Sequence, residues 1–343
     1  MGTEVGVPVR AGPCSSAYRG GVLAAVASRT SPTDPLSALE VVERPRPPVP
    51  DGWVRVRVEA ASLNHHDLWS LRGVGLRDEQ LPVVLGCDGA GVDEEGRDVV
   101  VHGVVTTPGW TGDDTLDPGR SLLSERYDGT LAEEVVVPAR NVVPRPAGLS
   151  AEHAACLPTA WLTAYRMLRL SGAEPGGTVL VQGAGGGVAT ALVALGRATG
   201  RLVWVTSRSE EKRQRALDLG AHAALAPGER VPERVDAVME TVGEATWAHS
   251  LRSLRPGGTV VVAGATSGPA PSAELQRVFF LGLRVVGTTM GTRDELERLV
   301  GLLVATGVRP VVDRVLPLAD VGEGLAARAA GELLGKVVVR PGG

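Results

Sequence analysis

Thr178-Val-Leu-Val-Gln-Gly183-Ala-Gly185-Gly186-Gly187-Val188-Ala189 decides the fold: a short uninterrupted apolar run, a glycine cluster, then the start of a helical pattern. A strand turning into a helix this way leaves free N–H groups and the positive end of the helix dipole at the turn. Glycines there let a pyrophosphate come close to the backbone. Anchored at Gly183, the strict G-x-G-x-x-G pattern fails, because Val188 holds its last position. Anchored at Ala184 it reads A-x-G-x-x-A, with Gly186 central and Ala189 at the helix-packing site, where alanine is tolerated. Gly185, Gly186, Gly187 and Val188 are therefore the expected cradle of a dinucleotide.

Outward from this turn, short apolar strands (Thr178–Val181, Leu202–Thr206, Ala237–Met239, Thr259–Ala263, Val285–Gly287) alternate with helix-sized stretches such as Val188–Thr199 and Glu210–Leu219. Repeated strand–helix–strand units predict a parallel, doubly wound sheet of Rossmann type over residues 150–290. Upstream, residues 21–149 read as antiparallel β structure: Val54, Val56 and Val58 alternate with Arg55, Arg57 and Glu59, and valine runs recur at 99–101 and 135–137. Residues 291–343 bring a helix, a short strand, another helix and a terminal strand. Residues 1–20 show no hydrophobic period and read as a mobile extension.

The 343 residues carry a net charge of −4, which argues against nucleic-acid or anionic-membrane binding through bulk charge. No apolar run is long enough to span a bilayer, and the N-terminus lacks a signal-type core, so a soluble cytoplasmic protein is expected. Cys14, Cys87 and Cys156 lie far apart, which suits a reducing compartment and disfavours a four-thiolate zinc. Lysine occurs only at 212 and 336.

Cofactor choice is read at the end of the second strand, where NAD-binding sheets place a carboxylate for the ribose 2′-hydroxyl. Here the chain reads Val205-Thr206-Ser207-Arg208-Ser209, with Lys212 one turn on. Ser207, Arg208 and Lys212 suit a 2′-phosphate, and NADPH is the expected cofactor. Alternatively, Arg208 and Lys212 pair with Glu210, Glu211 or Asp218 on a solvated helix.

With the glycine turn set behind an antiparallel β domain, the chain resembles the medium-chain dehydrogenase/reductase superfamily, in particular its zinc-lacking quinone-oxidoreductase-like branch. The resemblance runs from about Val22 to Pro341. It is carried by "ASLNHHDLW" (Ala61–Trp69), "LPVVLGCDGAG" (Leu81–Gly91), "DGTLAEEVVVP" (Asp128–Pro138), "LPTAWLTAY" (Leu157–Tyr165), the glycine turn, "LRPGGTVVVAGATSG" (Leu254–Gly268) and "GKVVVRP" (Gly335–Pro341). It implies a GroES-like first domain that the C-terminal tail completes, an active site in the cleft between domains, and a homodimer formed through edge strands near Leu283–Met290, with Phe279 and Phe280 behind them.

At the positions where zinc-dependent members of the superfamily hold their catalytic metal, this chain carries Asn64, Cys87 and Thr159, with Asp88 at the acidic neighbour. The structural-zinc loop corresponds to residues 107–127 and contains no cysteine. No metal is expected. A set improvised from His65, His66, Cys87 and Asp88 is disfavoured, because adjacent histidines on an extended strand face opposite ways. Without a Lewis acid, an isolated ketone is a poor hydride acceptor, whereas a quinone or enone spreads the charge into a phenolate or enolate, a phenol having a pKa of about 10.

By resemblance, Asn64 and Thr163 lie near the nicotinamide, Trp69 faces substrate, Gly264 and Ala265 meet the nicotinamide amide, and Lys212 pairs with the 2′-phosphate. Lys336, in the terminal segment, is assigned to the cofactor-binding set. A tyrosine common on the loop after Lys212 is absent, the stretch being Ala223-Ala-Leu-Ala-Pro227. Asn64, His66, Asp67 and Trp69 form the expected catalytic set, His65 and His66 as proton donors and Asp67 as an orienting group. Cys87 lacks an evident paired base and reads as a lining residue. The expected function is zinc-independent, NADPH-dependent reduction of quinones or other activated double bonds. A zinc-type alcohol or aldehyde dehydrogenase and a non-catalytic NADPH-binding sensor are the alternatives.

Overall fold

Residues 20–342 are described by the computed structural model, so the expected extension lies, apart from Gly20, outside the described residues. Two compact units emerge. The first takes in the chain up to Thr159 together with Thr292–Val304 and Val312–Gly343, and the second is Ala160–Gly291 with Ala305–Val311. The sequence places the change of texture near Ser150. The helix Ala151–Ala155 instead packs on the strands Trp53–Ser62 and Asp88–Asp93, which keeps it in the first unit.

The first unit is built on the strand Trp53–Ser62, whose buried Val56 and Val58 alternate with the more exposed Arg55, Arg57 and Glu59 as a half-buried strand requires. Asp88–Asp93 and Glu134–Pro138 pair with it antiparallel. On its other side the terminal strand Lys336–Arg340 pairs antiparallel (Val338 with Ser62, Val339 with Ala61) and is itself parallel to Val312–Pro317. The tail thus closes the sheet that the first third of the chain began. Leu63, Leu68, Leu85, Leu123, Leu131 and Val337 pack into one core beneath it.

The loop at residues 107–127 is tied by an aspartate. The buried Asp117 carboxylate accepts from the Thr107 amide (2.6 Å) and hydroxyl (2.9 Å) through Oδ2 and from the Gly119 amide (2.8 Å) through Oδ1. Burial works against its ionisation, but these donors hold its pKa below the ordinary aspartate value.

The second unit is a six-stranded parallel sheet in the order Ala223–Leu225, Leu202–Thr206, Thr178–Gln182, Val235–Glu240, Leu254–Val262, Arg284–Gly287. Numbered along the chain this is 3-2-1-4-5-6, the doubly wound order, whose switch point lies between Thr178–Gln182 and Val235–Glu240. Both strands are almost wholly buried, which explains their unbroken apolar runs. Among the described residues no helix is long and apolar enough to cross a membrane.

Candidate active site

The segment after Trp53–Ser62 does not continue as strand. Asn64 is extended and starts the helix His65–Leu71, so the expectation that His65 and His66 sit on a strand is corrected. A polar residue before an apolar run, with an acid three places on, is a helix-start signal that this segment contains. Adjacent residues on a helix still diverge. His65 turns to Trp69, ring edge to ring face at 5.5 Å, while His66 turns inward. Trp69 remains half-exposed and is not part of the core.

Asp67 is fully buried, and both its oxygens accept backbone N–H groups, from Asn64 at 2.7 Å and Gly86 at 3.1 Å. Burial raises its pKa against the pull of these bonds and of His66 and Lys336. Asp67 thereby fixes the helix start against the 86–88 turn, the orienting work expected of it. Gly86 must be glycine for that contact, since its φ is +99° and a Cβ would lie 2.7 Å from the Thr130 hydroxyl.

His66 meets four groups. Nε2 is 3.3 Å from Glu125 Oε1, and Nδ1 is 3.4 Å from each of Ser70 Oγ, Cys87 Sγ and Ser124 Oγ. The sequence shows no partner for Cys87, and the fold supplies one, an imidazole 21 residues away in the chain. Ser124, one of these contacts, sits at φ +67°, a left-handed conformation unusual outside glycine. Burial pulls the His66 pKa down, but Cys87, Glu125 and Asp67 outweigh it, and the ring titrates well above 6.5. In turn His66 and the Leu122 amide bring Glu125 below its usual value despite burial. Neighbouring His65 goes the other way, lowered from 6.5 by burial and then by Arg328 and Arg72.

Beside this group, Lys336 is 1% exposed and spends all three donors inside the first unit: on the Leu63 carbonyl (3.0 Å), on Asn64 Oδ1 (2.5 Å) and on Asp88 Oδ2 (3.0 Å). This corrects its assignment to cofactor binding, because no donor remains for a phosphate. Asp88 Oδ2 also accepts the Ser62 hydroxyl at 2.8 Å, while Oδ1 is buried with no hydrogen-bond partner in the protein. Breaking such a buried ion pair from one side costs about 3–5 kcal/mol. Cys156 shares the surroundings of Lys336 and Asp88, and burial pushes its thiol up to about 12.

The second unit carries the remaining sequence-derived residues. Gly183 is at φ +102°, and Gly186 caps the helix Gly187–Ala198 with nothing within 4 Å of where a Cβ would stand. Packing does not demand glycine at 186, whereas room for a phosphate does. Gly185 and Val188 complete the turn. Thr163 is buried in the first turn of the helix Leu162–Leu170. Ser209 caps the helix Glu210–Asp218, its hydroxyl accepting from the Lys212 amide at 3.2 Å, and Arg208 just before it is exposed. Arg213, not singled out in the sequence, donates to the Ser207 carbonyl at 2.6 Å and shapes that corner.

Gly264 and Ala265 lie on a loop pressed against 241–243: a Cβ on Gly264 would stand 2.9 Å from the Thr241 carbonyl, and Ser267 N donates to Val242 O at 2.7 Å. The fully buried Glu240 is a further residue that the sequence did not single out. Its Oε1 accepts from the Val242 and Gly243 amides, its Oε2 from Ser250 at 2.6 Å, and Ser250 also meets Gln182, whose Oε1 accepts from Thr206. One network thereby fixes the carboxyl ends of three strands at the switch point, where doubly wound sheets bind ligands.

Residues 50–147 match the alcohol dehydrogenase GroES-like domain family, and residues 187–305 the zinc-binding dehydrogenase family. A zinc-type alcohol dehydrogenase-like protein of Schizosaccharomyces pombe is 32% identical over 316 residues, covering 84% of this chain and 91% of that one. The acryloyl-coenzyme A reductase of Metallosphaera sedula is 30% identical over 322 residues, covering 88% and 96%. A crystal structure of an NAD-dependent alcohol dehydrogenase superposes with a TM-score of 0.86 at 32% identity, covering 93% and 99%. With the sheet order and the glycine turn, these place the chain in the medium-chain dehydrogenase/reductase superfamily: it is an oxidoreductase fold that binds a nicotinamide cofactor.

The positions at which zinc members hold their metal do not fit one here. Of Asn64, Cys87 and Thr159, only Cys87 offers a thiolate ligand, and Asn64 Oδ1 is already engaged by an ammonium group. The Thr159 hydroxyl is buried without a partner, and the Lys336 charge 3.0 Å from Asp88 repels a divalent ion. Among the described residues no three His, Cys, Asp or Glu side chains gather as a ligand set.

The opposed environments of the two adjacent histidines give a direct check. In NMR titration, the His66 ring should change charge above 6.5 and the His65 ring below it. Glu125→Gln should bring His66 down while leaving His65 in place. Equal midpoints for the two rings would contradict the geometry.

Proposed function

We propose that this chain reduces carbon–carbon double bonds conjugated to a carbonyl, in enones and quinones, using NADPH and no zinc. The observation that carries the reading is the 3.3 Å pairing of His66 with Glu125, in a site whose metal-ligand positions offer one thiolate and an amide engaged by an ammonium. Bound NADPH supplies the hydride. The residues of this chain manage the negative charge and the proton. Charge leaving the double bond collects on the carbonyl oxygen as an enolate or phenolate, and with a phenol pKa of about 10 such an oxygen needs donors but no metal. The Asn64 amide supplies a donor, and His66, whose pKa Cys87 and Glu125 raise, supplies the proton. Acryloyl-coenzyme A, named for one of the relatives, carries a double bond of this kind.

NADPH rests on the absence of a carboxylate after Leu202–Thr206 and on the exposed Arg208 at that corner. Replacing Arg208 and Lys212 together by alanine should raise KM for NADPH about tenfold or more and barely change KM for NADH; equal changes would rule out their role at a 2′-phosphate.

The reaction itself is tested by monitoring NADPH oxidation with an enone, a benzoquinone and a simple ketone. Turnover should be confined to the first two, and His66→Gln should lower kcat by about 100-fold. Because the donor form of His66 is lost as pH rises through its elevated pKa, the wild-type rate should fall on the alkaline side of neutrality and not at about pH 6. Reduction of the ketone at a comparable rate would refute the proposal.

We also propose a homodimer formed through the edge strand Arg284–Gly287. Its open side lacks a partner strand, and Leu275, Phe279, Phe280 and Val285 beside it are 51–80% exposed, an apolar group that water disfavours. Light scattering should give twice the 35.5 kDa chain mass, and Val285→Arg with Phe280→Asp should return it to 35.5 kDa. A wild-type monomer would remove the proposal.

A further inference from the structure

The ammonium of Lys336 does more than neutralise Asp88. Asn64 has an acceptor on one side of its amide and donors on the other, and the two are similar in shape. With Lys336 Nζ 2.5 Å from Oδ1, an inverted amide would set N–H against N–H, so the oxygen is locked inward. The NH₂ group must then face away from the ammonium. Among the described residues its one contact is long, 3.4 Å to the Ser62 carbonyl, and an amide has two hydrogens to give. An amide accepting from a cation is also polarised and donates more strongly. Lysine is rare in this arginine-rich chain, and a compact ammonium with three donors suits the three acceptors here better than a planar guanidinium.

We infer that Lys336 is a built-in cation that takes over the orienting work a metal does in zinc-bearing relatives: it fixes and polarises the Asn64 amide as a donor to the carbonyl oxygen of a conjugated substrate. Lys336 is a positioning residue and acts through Asn64. The inference rests on the double-bond reading for its substrate but not for the orientation of the amide.

A double-mutant cycle tests it. Lys336→Met alone strands the Asp88 charge, so the variant used is Lys336→Met with Asp88→Asn, which removes both charges and keeps the shapes. With its fold verified by circular dichroism, this variant should bind NADPH within about threefold of wild type and reduce an enone with kcat lowered about 10- to 100-fold. Adding Asn64→Ala should cost less than about threefold more than Asn64→Ala alone, because the lysine works through that amide. Losses that multiply, or an unaltered kcat in the neutral pair, would overturn the inference.

The side-chain amide signal of Asn64 in ¹⁵N NMR separates this result from the reaction proposal. It should shift between wild type and the neutral pair whether or not any enone turns over. A signal that stays in place would overturn the inference even in an active enzyme. A shifted signal in a protein that reduces no enone would sink the double-bond reading and leave the orientation standing.

Discussion

The first unit depends on one buried ion pair. Lys336 and Asp88 are 1% and 0% exposed, and the ammonium also holds the last carbonyl before the helix start and the side chain of Asn64. Four segments meet there: the end of Trp53–Ser62, the start of His65–Leu71, the start of Asp88–Asp93 and the final strand. Buried charges are costly unless every partner is in place, so this cluster imposes a single arrangement on the segments it joins. The pairing of Val338 with Ser62 in the sheet delivers the lysine to that point.

That arrangement divides the chemistry between neighbours in sequence. Asp88 looks to the ammonium and Asn64, while Cys87, on the opposite side of the backbone, looks to His66. The result is an amide whose oxygen is held by an ammonium, and an imidazole in contact with Cys87 and Glu125. A metal would do both jobs by polarising the substrate oxygen directly. On the proposed reading fixed organic donors do so, which favours acceptors whose negative charge is already delocalised.

Much of this was legible in the residues and some was not. The glycine turn, the alternating valines and the strand–helix rhythm specify the two units, because those signals depend on neighbours a few residues apart. The boundary shifted from 150 to 160 since Ala151–Ala155 is held by packing on distant strands, which local pattern does not record. Asn64 and His66 lie at a helix start that the residues suggested as strand. Glu125, the imidazole partner of Cys87 and the partners of Lys336 were not legible. Each is a contact across long stretches of chain, 59 residues from His66 to Glu125 and 272 from Asn64 to Lys336. For Lys336 a faint signal existed, a lysine retained in a chain that elsewhere uses arginine.

On the proposed reading an ammonium and an imidazole stand in for a metal in this site. Measuring zinc content and NADPH-dependent enone reduction on one chelator-treated preparation tests that substitution most directly. Full turnover with far less than one zinc per chain, and no gain on adding zinc, is the predicted result. Activity lost to the chelator and restored by stoichiometric zinc would contradict it.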